Sequence, residues 1–418
     1  MRILLIVLQY PPDVNASGRL MHQIFSELAG PGVARVHGEG DYQVDVITSF
    51  PHYEHFAIWE EYRGKLYQQG EWEGLEVLRT WVYASGSKQN MMRRLVSYLS
   101  FTCLATVAGL VRRRHYDVIF CPNGGFFIGL TGAVIGRLKG IPMIYNVQDL
   151  YPEVPVRAGQ LTNKWAIRGL ELIERVMYRL ADQISVITPS FRENLVGKGV
   201  DPAKITVVPN FVDSSFIRPL PKDNAFSRQH GLADRFVVSH AGNIGYAYDL
   251  GTLLEAAALL RGEREILFLI VGDGVAKAGL EARAAELGLE NVRFLPFQPL
   301  EDLPWLRAAS DVQVSLYAPG SASYSMPSKV YEIMASGRPL LASADPGSDI
   351  WNLIAAAGAG ICVEPEDAGR LAEAILRLYG RRDLGEEMGR CGREYAVSHY
   401  TKGRVVEQYR CLLEGLCQ

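Results

Sequence analysis

The chain has few cysteines for its 418 residues. They are Cys103, Cys121, Cys362, Cys391, Cys411 and Cys417. They form no CxxC pair and have no Cys/His spacing of the kind that zinc modules use. A disulfide framework or a structural zinc site is therefore disfavoured, and a reduced, cytoplasmic setting is expected.

An excess of charge of one sign is also lacking. The chain has 43 Lys and Arg against 46 Asp and Glu, a formal net charge of −3. Nucleic-acid-binding proteins usually carry a basic excess, so nucleic acid is not an expected partner. A content of 48% apolar and 21% charged residues is typical of a folded globular protein. The length predicts two domains of roughly 200 residues each.

The common nucleotide and metal motifs are missing. Neither GxGxxG nor GxxxxGK[ST] occurs, which disfavours dinucleotide binding and a P-loop. No DxD-like element follows a strand, so we expect no cofactor and no essential divalent metal. The first residues, "MRILLIVLQYPP", are too short an apolar run for a signal peptide and predict a buried first strand.

Long apolar runs are rare, with one exception at residues 95–111. The 17 residues "LVSYLSFTCLATVAGLV" carry no charge and lie between arginines at 93 and 94 and at 112–114. The run is at the lower limit for crossing a bilayer, and it leads directly into the strand "YDVIFC". Three interpretations stay open: a helix that covers a sheet, a helix whose residues 93–114 also contact a membrane surface, and a full span.

Strand-like and helix-like segments alternate along the chain. The predicted strands are "RILLIVL", "QVDVIT", "LEVLRTW", "DVIFC", "PMIYNV", "QISVIT" and "KITVVP", then "FVVSHA", "ILFLIV", "VRFLPF", "DVQVSL", "PLLAS" and "AGICVEP". Parallel strands need crossover helices, so this alternation predicts an α/β protein with two doubly wound, Rossmann-like domains. Periodicity lapses at residues 211–231. We therefore predict domains at 1–215 and 216–390, followed by helices at 391–418.

Three loops follow predicted strands and precede helices. The first ends at Ser17 and Gly18, the second holds Gly242 and Gly245, and the third is "SLYAPGSASYSMPSK". Ligands of open parallel sheets bind beyond the carboxyl ends of the strands. A glycine there is most often turn chemistry, but three such loops together favour a bound phosphate.

Lys329 and Glu332 lie at i and i+3 in the first part of the helix "KVYEIMASG". An exposed ion pair is the ordinary interpretation of this spacing. The apolar helix and the strands around it instead predict that this end lines a ligand site. Lys329 could counter a diphosphate, and Glu332 could accept hydrogen bonds from ribose hydroxyls.

These residues belong to a set of motifs that resembles the GT-B glycosyltransferases of family 4 (group 1), and especially bacterial capsule, O-antigen and colanic acid enzymes. The motifs are "NVQDLYPEV" at 146–154, "VITPSFRENLVGKGVDPAKITVVPNFVD" at 186–213, "VGDG" at 271–274, "SDVQVSLY" at 310–317 and "MPSKVYEIMASGRPLLAS" at 326–343. The resemblance implies two domains facing a cleft, with the last helix returning to the first domain. It also implies that Glu332 holds the donor ribose and that Asp149 faces the acceptor.

The resemblance further implies a donor site and a reaction. The candidate donor-binding residues are Ser17, Gly18, Gly242, Asn243, Gly272, Met326, Pro327 and Ser328. The expected reaction transfers a sugar, with retention, from a nucleoside diphosphate sugar (UDP favoured) to a hydroxyl of a glycan or a polyprenyl-diphosphate-linked acceptor. Lys329, Glu332 and Asp149 are the predicted catalytic residues. The expected location is cytoplasmic, with a peripheral contact at the inner membrane if residues 93–114 touch it.

The chain departs from the family pattern at three positions. The family's first glutamate of its EX7E pair falls on Tyr324, and its usual basic pair falls on Asn243 and Tyr248. These departures keep two alternatives open, a catalytically degenerate binding protein and a nucleotide-sugar epimerase of the same fold; a phosphorylase is a third, weaker one. His22, His52, His55 and His240 could approach the site, although lone histidines are more often structural.

Overall fold

The computed structural model describes residues 1–13, 15–30, 42–53, 56–84, 86, 91–157, 159, 161–245, 248–324 and 326–417. The chain divides into two compact units. Unit 1 consists of Met1–Pro209 and Val405–Gln418, and unit 2 is Asn210–Arg404. Sequence alone places the corresponding boundary at 215/216 and the start of the returning segment at 391.

Unit 1 is built on one sheet. Its strands are β1 (Arg2–Ile6), β2 (Gln43–Ser49), β3 (Tyr67–Trp72), β4 (Leu75–Thr80), β5 (Val118–Pro122), β6 (Met143–Val147), β7 (Gln183–Val186) and β8 (Ile205–Val207). Its helices are α1 (Ala16–Ala29), α2 (Met91–Val111), α3 (Ile128–Lys139), α4 (Glu153–Arg157), α5 (Lys164–Leu180) and α6 (Pro189–Gly197). Short 3₁₀ turns lie at Glu60–Tyr62 and Pro202–Lys204.

The order of the strands in this sheet is β3-β4-β2-β1-β5-β6-β7-β8. All neighbours are parallel except β3 and β4. Strands β1 and β5 are buried along most of their length, as expected for strands covered by helices on both faces. The strand order reverses between β1 and β5, so the switch point of the sheet lies at their carboxyl ends.

The sequence analysis missed strand β3. Its residues, "YQQGEW", are largely exposed and show no apolar alternation, because the strand forms the edge of the sheet. It pairs with β4 through a two-residue turn in which Glu73 and Gly74 have φ of 45° and 83°. Positive φ at both turn residues is the geometry that tight hairpins favour, so the Glu-Gly pair was the available signal.

Helix α2 contains the apolar run. Within the described residues, Met92–Val111 is long and apolar enough to cross a membrane by length and composition alone. One of its faces is packed into unit 1, where Phe101 and Ala105 are fully buried. A Cβ on Gly109 would lie 2.3 Å from Ile135 Cδ1 in α3, so the two helices are in close contact. The inner face of α2 therefore covers the sheet.

Unit 2 contains a second sheet. Its strands are β9 (Phe236–Ala241), β10 (Ile266–Val271), β11 (Val292–Leu295), β12 (Val312–Leu316), β13 (Leu340–Ser343) and β14 (Gly360–Val363). Its helices are α7 (Ala225–Gln229), α8 (Leu250–Leu259), α9 (Lys277–Glu286), α10 (Leu303–Ala308), α11 (Lys329–Ala335), α12 (Asp349–Ala357), α13 (Ala368–Gly380) and α14 (Arg382–His399). A 3₁₀ turn lies at Leu300–Asp302.

This second sheet is fully parallel, with the order β11-β10-β9-β12-β13-β14. Its core is formed by apolar side chains of the strands and of α8 and α13, including Leu253, Phe268 and Ile375. The order reverses between β9 and β12, which places the switch point at their carboxyl ends. The two predicted Rossmann-like sheets are thus confirmed.

The last helix, α15 (Lys402–Cys417), contributes to unit 1 through Val405–Gln418. The Tyr409 hydroxyl lies 3.1 Å from Asn146 Nδ2 at β6, and Tyr409 is fully buried. The Tyr42 hydroxyl donates to Glu414 at 2.5 Å. These contacts fix the end of the chain against unit 1.

Candidate functional site

The side chain of Lys329 lies at the switch point of unit 2. Lys329 is the first residue of α11 and is only 9% exposed. Its Nζ lies 3.9 Å from the centroid of the Tyr248 ring. A Cβ on Gly242, just after β9, would lie 3.9 Å from Lys329 Cδ. The ammonium is therefore held beside the end of β9, against an aromatic face.

This ammonium lacks a hydrogen-bond acceptor among the described residues. Burial and, to a lesser extent, the charge of Arg307 lower the pKa of Lys329 to about 7, while the charge of Glu332 opposes the shift. A buried ammonium with no acceptor is costly, and an anion beside it would relieve that cost. The surroundings of Lys329 are thus suited to an anionic ligand.

Glu332 is held by a buried arginine. Arg307 Nη2 donates to Glu332 Oε2 at 2.5 Å, and Arg307 Nη1 donates to Gln313 Oε1 at 2.5 Å. The Gln313 amide in turn donates to Ser336 Oγ at 3.1 Å. The side chains of Arg307 and Glu332 are 2% and 27% exposed. The carboxylate of Glu332 is therefore held in place by the buried Arg307. It still reaches the surface of unit 2, where it could accept a hydrogen bond from a ligand hydroxyl.

The sequence analysis did not identify Arg307. It lies in α10, on a buried stretch of a short helix, and pairs with a residue 25 positions later. Helix periodicity indicates that α10 is buried on one side, but no spacing connects position 307 to position 332. The pairing follows from the packing of α10 beside α11, which only the structure shows.

Two aromatic residues and a histidine complete the surroundings of Lys329. His240 is fully buried, its Nδ1 has no partner among the described residues, and its Nε2 lies 3.4 Å from the Asn243 carbonyl. Burial and the nearby charge of Lys329 hold the pKa of His240 well below its usual value. The Tyr248 ring lies 5.8 Å from His240 and 6.1 Å from Tyr317. His240 is thus a neutral neighbour of the lysine.

Gly272 and Gly242 are required by the close approach of two loops. Gly272 has φ of 144°, and a Cβ there would lie 1.9 Å from the Gly242 carbonyl oxygen. The loops are also joined by a hydrogen bond from the Ile244 N–H to the Asp273 carbonyl at 2.9 Å. Gly272 is thus necessary for packing, whether or not it contacts a ligand. Asn243 directly follows Gly242 and is exposed.

The residues before α11 lie at the same end of unit 2. Met326 is buried, whereas Pro327 and Ser328 are half-buried. Carbonyl oxygens of Pro327 and Ser328 accept the amides of Val330 and Tyr331 at 3.2 and 3.0 Å. These residues form the turn that starts α11 and thereby set the position of Lys329. Tyr324 is half-buried in the preceding turn.

In unit 1, Ser17 and Gly18 lie inside the first turn of α1. Asn15 caps this helix, and its side chain accepts the Gly18 N–H at 3.1 Å. A Cβ on Gly18 would lie 2.3 Å from the Gln9 carbonyl oxygen, so glycine lets the helix approach the end of β1. The Gly18 amide is thus already used by Asn15. Ser17 Oγ is buried without a partner among the described residues.

Asp149 lies at the carboxyl end of β6 in unit 1. Asn123 fixes its backbone: the Asn123 amide donates to the Asp149 carbonyl at 2.5 Å, and its oxygen accepts the Gln148 N–H at 2.8 Å. The Asp149 carboxyl itself receives no hydrogen bond from the described residues. Burial raises its pKa to about 6. Asp149 is therefore a positioned carboxyl group that titrates near neutral pH.

The other predicted histidines have structural partners. His22 lies between the Tyr10 hydroxyl and Glu73, at 2.8 Å from each. His52 Nδ1 lies 2.9 Å from the Phe50 carbonyl, and burial lowers its pKa. His55 lies outside the described residues. Within the described part of the chain, no three His, Cys, Asp or Glu side chains gather as metal ligands would.

The structure thus brings together one set of predicted residues in each unit. Unit 2 gathers Lys329, Gly242, Asn243, Gly272 and Glu332 around its switch point, with Met326, Pro327 and Ser328 beside them. Unit 1 places Ser17, Gly18 and Asp149 at the carboxyl edge of its own sheet.

Both units match models of known families. Residues 31–210 match the glycosyl transferase 4-like domain, and residues 222–395 match the glycosyl transferases group 1 family. The chain is 27% identical over 417 residues to WcaI of Escherichia coli K12, named as a colanic acid biosynthesis glycosyl transferase, with 98% of each chain covered. It is 25% identical over 336 residues to a Pseudomonas aeruginosa protein named as the glycosyltransferase WbjE, covering 80% of this chain and 83% of the relative.

A solved structure shares the fold. The structure of HepE from Anabaena, in complex with UDP and glucose, aligns with a TM-score of 0.72 and 18% identity. The alignment covers 99% of this chain and 100% of HepE.

Proposed function

The chain is a group 1 glycosyltransferase of the GT-B fold, and we propose that it transfers a sugar from a uridine diphosphate sugar to a hydroxyl acceptor in the synthesis of a cell-surface polysaccharide. The observation that carries the donor assignment is the buried ammonium of Lys329, which has no acceptor among the described residues. The name of WcaI supports a role in polysaccharide synthesis. The UDP bound to HepE supports uridine diphosphate as the nucleotide of the donor.

In the proposed donor complex, the diphosphate lies beside Lys329. Its charge grows as the bond to the sugar breaks, and a fixed cation in a water-poor site stabilises that charge more than water does. Glu332, held by Arg307, accepts hydrogen bonds from the ribose hydroxyls. Lys329 therefore substitutes for the basic pair that the family has at the positions of Asn243 and Tyr248.

Retention at the anomeric carbon is part of the proposal. The Glu332 carboxylate near Lys329 is paired with Arg307 and assigned to the ribose, so the proposal uses no carboxylate nucleophile for the sugar. The departing phosphate oxygen would then deprotonate the acceptor on the same face of the ring, so that catalysis comes mainly from positioning and electrostatics. Asp149, with its pKa of about 6, is ionised at neutral pH and would accept a hydrogen bond from the acceptor.

The acceptor is proposed to be a glycan or a polyprenyl-diphosphate-linked sugar, at the cytoplasmic face of the inner membrane. Support comes from the exposed apolar side of α2, where Val107 and Val111 are 57% and 72% exposed. A lipid-linked acceptor stays in the bilayer, so the enzyme must meet it there.

Thermal shifts with UDP, GDP, ADP and dTDP test the nucleotide, since stabilisation grows with ligand excess over Kd. We expect UDP to give the largest shift.

Release of UDP from a UDP sugar should then require an acceptor, and it should persist in EDTA because no divalent ion is expected to be essential. Epimerised sugar without acceptor would indicate the epimerase, and binding without turnover would indicate a degenerate protein.

Donor binding should depend on pH through Lys329. Free Lys329 has a pKa of about 7, and a bound diphosphate should raise it. Below this pKa the ammonium is already charged. Above it, binding must take up a proton, so the Kd for UDP should rise by up to about tenfold per pH unit. Calorimetric titrations between about pH 7.5 and 9, where the phosphates of UDP are fully ionised, measure this slope.

The matched control for the pH dependence is Lys329→Arg, because a guanidinium stays charged throughout this range. We expect its affinity for UDP to be nearly independent of pH. A flat profile for the natural protein, or the same slope in Lys329→Arg, would remove Lys329 from the donor site.

A further inference from the structure

Three neighbouring helices of unit 1 expose apolar side chains along their outer faces. Helix α3 contacts both α2 and α5, so the three form one layer on the sheet. The exposed apolar residues are Val96, Leu99, Val107 and Val111 on α2, Val134 and Leu138 on α3, and Trp165 and Leu172 on α5. Trp165 is 78% exposed and Leu138 is 70% exposed. These residues, together with the exposed basic residues named in the next paragraph, are called the outer helical face.

Basic side chains lie among them, and acidic ones are few. The exposed basic residues are Arg93, Arg113, Arg137, Lys164, Arg168, Arg175 and Arg179. Helices α2 and α3 contain no acidic residue. Of the two in α5, Glu174 is buried against Lys198 at 2.8 Å, and Glu171 is half-buried. The outer helical face is therefore strongly positive in a chain whose net charge is −3.

Helix α5 combines both features along one side. Lys164, Arg168, Arg175 and Arg179 follow each other at helical spacing with Leu172 between them. The Arg168 guanidinium lies 5.4 Å from the centroid of the Trp165 ring. A tryptophan close to basic residues on an exposed helix is typical of segments that lie in a membrane interface.

We propose that the outer helical face binds the surface of a bilayer containing anionic lipid, with α2 supplying half of the apolar side chains and α5 most of the charge. The helices lie on this surface and do not cross it, because α2 is packed against unit 1 through its inner face, where its residues Phe101 and Ala105 are fully buried. Apolar burial together with several basic residues is the combination that gives stable peripheral binding. The inference deepens the membrane location proposed above for the acceptor, and its test does not depend on glycosyl transfer.

Other occupants fit the face less well. A second copy of the chain would place seven cations opposite their own kind in a symmetric contact. A nucleic acid would match the charge but would leave the valines and leucines exposed. An anionic bilayer satisfies both the charge and the apolar surface.

Flotation with vesicles of phosphatidylcholine, with and without phosphatidylglycerol, tests the proposal. We expect the protein to float only with vesicles that contain phosphatidylglycerol. Each basic residue at a membrane surface contributes about fivefold in affinity, so R168E/R175E should weaken binding at least about twentyfold. V96S/L99S should also weaken it, although the charge is unchanged. The matched control is R264E/R377E, which makes the same charge change at exposed positions of unit 2.

A second measurement locates the contact. Brominated lipid should quench the fluorescence of the natural protein and of W305F, but quench W165F much less. The UDP thermal shift should be the same in every variant, so a failure here is separable from a failure of the donor site. Equal binding of R168E/R175E and R264E/R377E would overturn the proposal. The proposal would also be overturned if the natural protein did not bind vesicles and sedimented as a dimer that the R168E/R175E substitutions dissociate.

Discussion

Lys329→Met is expected to lower kcat/KM for the sugar donor by at least about tenfold, the loss of a charge-assisted contact of about 1.5 to 3 kcal/mol. Methionine has nearly the length of lysine and can keep the contact with Tyr248. The ammonium has no hydrogen-bond partner among the described residues, so its removal should leave the melting temperature unchanged or higher. Steady-state kinetics and thermal melts of the same preparation measure both effects.

The matched control is Lys222→Met in the same unit. Lys222 donates to Asp311 at 2.5 Å, at the amino end of β12 and thus at the opposite edge of the sheet. This variant should melt earlier and keep its kcat/KM. The account is contradicted if Lys329→Met keeps the natural kcat/KM, or if it is destabilised as much as Lys222→Met.

Glu332→Ala is expected to lower both stability and activity. Its removal leaves the Arg307 guanidinium buried without a counter-ion, which should cost about 3 kcal/mol of unfolding free energy. This value is at the low end for a buried pair because Glu332 is 27% exposed and water can partly replace it. The donor should also lose its ribose acceptor, with a fall in kcat/KM of about tenfold or more. Urea unfolding and steady-state kinetics measure the two effects.

The double variant R307M/E332L separates the two roles of Glu332. Replacing both members of a buried ion pair with apolar residues is often neutral, so most of the lost stability should return. The kcat/KM should stay low, because no carboxylate remains for the ribose. If activity returns together with stability, Glu332 acts only through the fold.

Much of the fold could be predicted because parallel strands are buried on both faces. Strands such as β1 and β10 have apolar residues at nearly every position and flanking turn residues, so they are visible without any knowledge of neighbours. Strand β3 was missed for the opposite reason. It is an exposed edge strand whose side chains carry no burial pattern, and only its Glu-Gly turn marks it.

The candidate site could be predicted in part. Lys329 and Glu332 were identified because two charged side chains at the start of an apolar helix are costly to bury unless a ligand or a partner of opposite charge pairs with them. Arg307 could not be found, since its contact with Glu332 depends on how α10 packs beside α11. Gly272 was correctly located in a loop, whereas Gly18 lies in the first turn of α1 rather than at the end of the loop before it. Close backbone approach explains both glycines without a ligand.

The face of a helix that remains exposed is also a product of packing. Periodicity predicts a helix at residues 162–181, and its basic residues are evident in the sequence. That α3 lies between α2 and α5, so that their exposed sides combine into one surface, follows only from the order of the strands. For this reason the sequence indicates α2 alone as a membrane-binding segment.

The central claim is that the Lys329 ammonium receives the donor diphosphate, and NMR of ¹⁵N-labelled lysine side chains tests it most directly. The Nζ resonance of Lys329 is assigned by its loss in Lys329→Met and is followed against pH with and without UDP. The account predicts a pKa of about 7 in the free protein and an increase of at least about one unit with UDP bound. A pKa that does not change on addition of saturating UDP would contradict it.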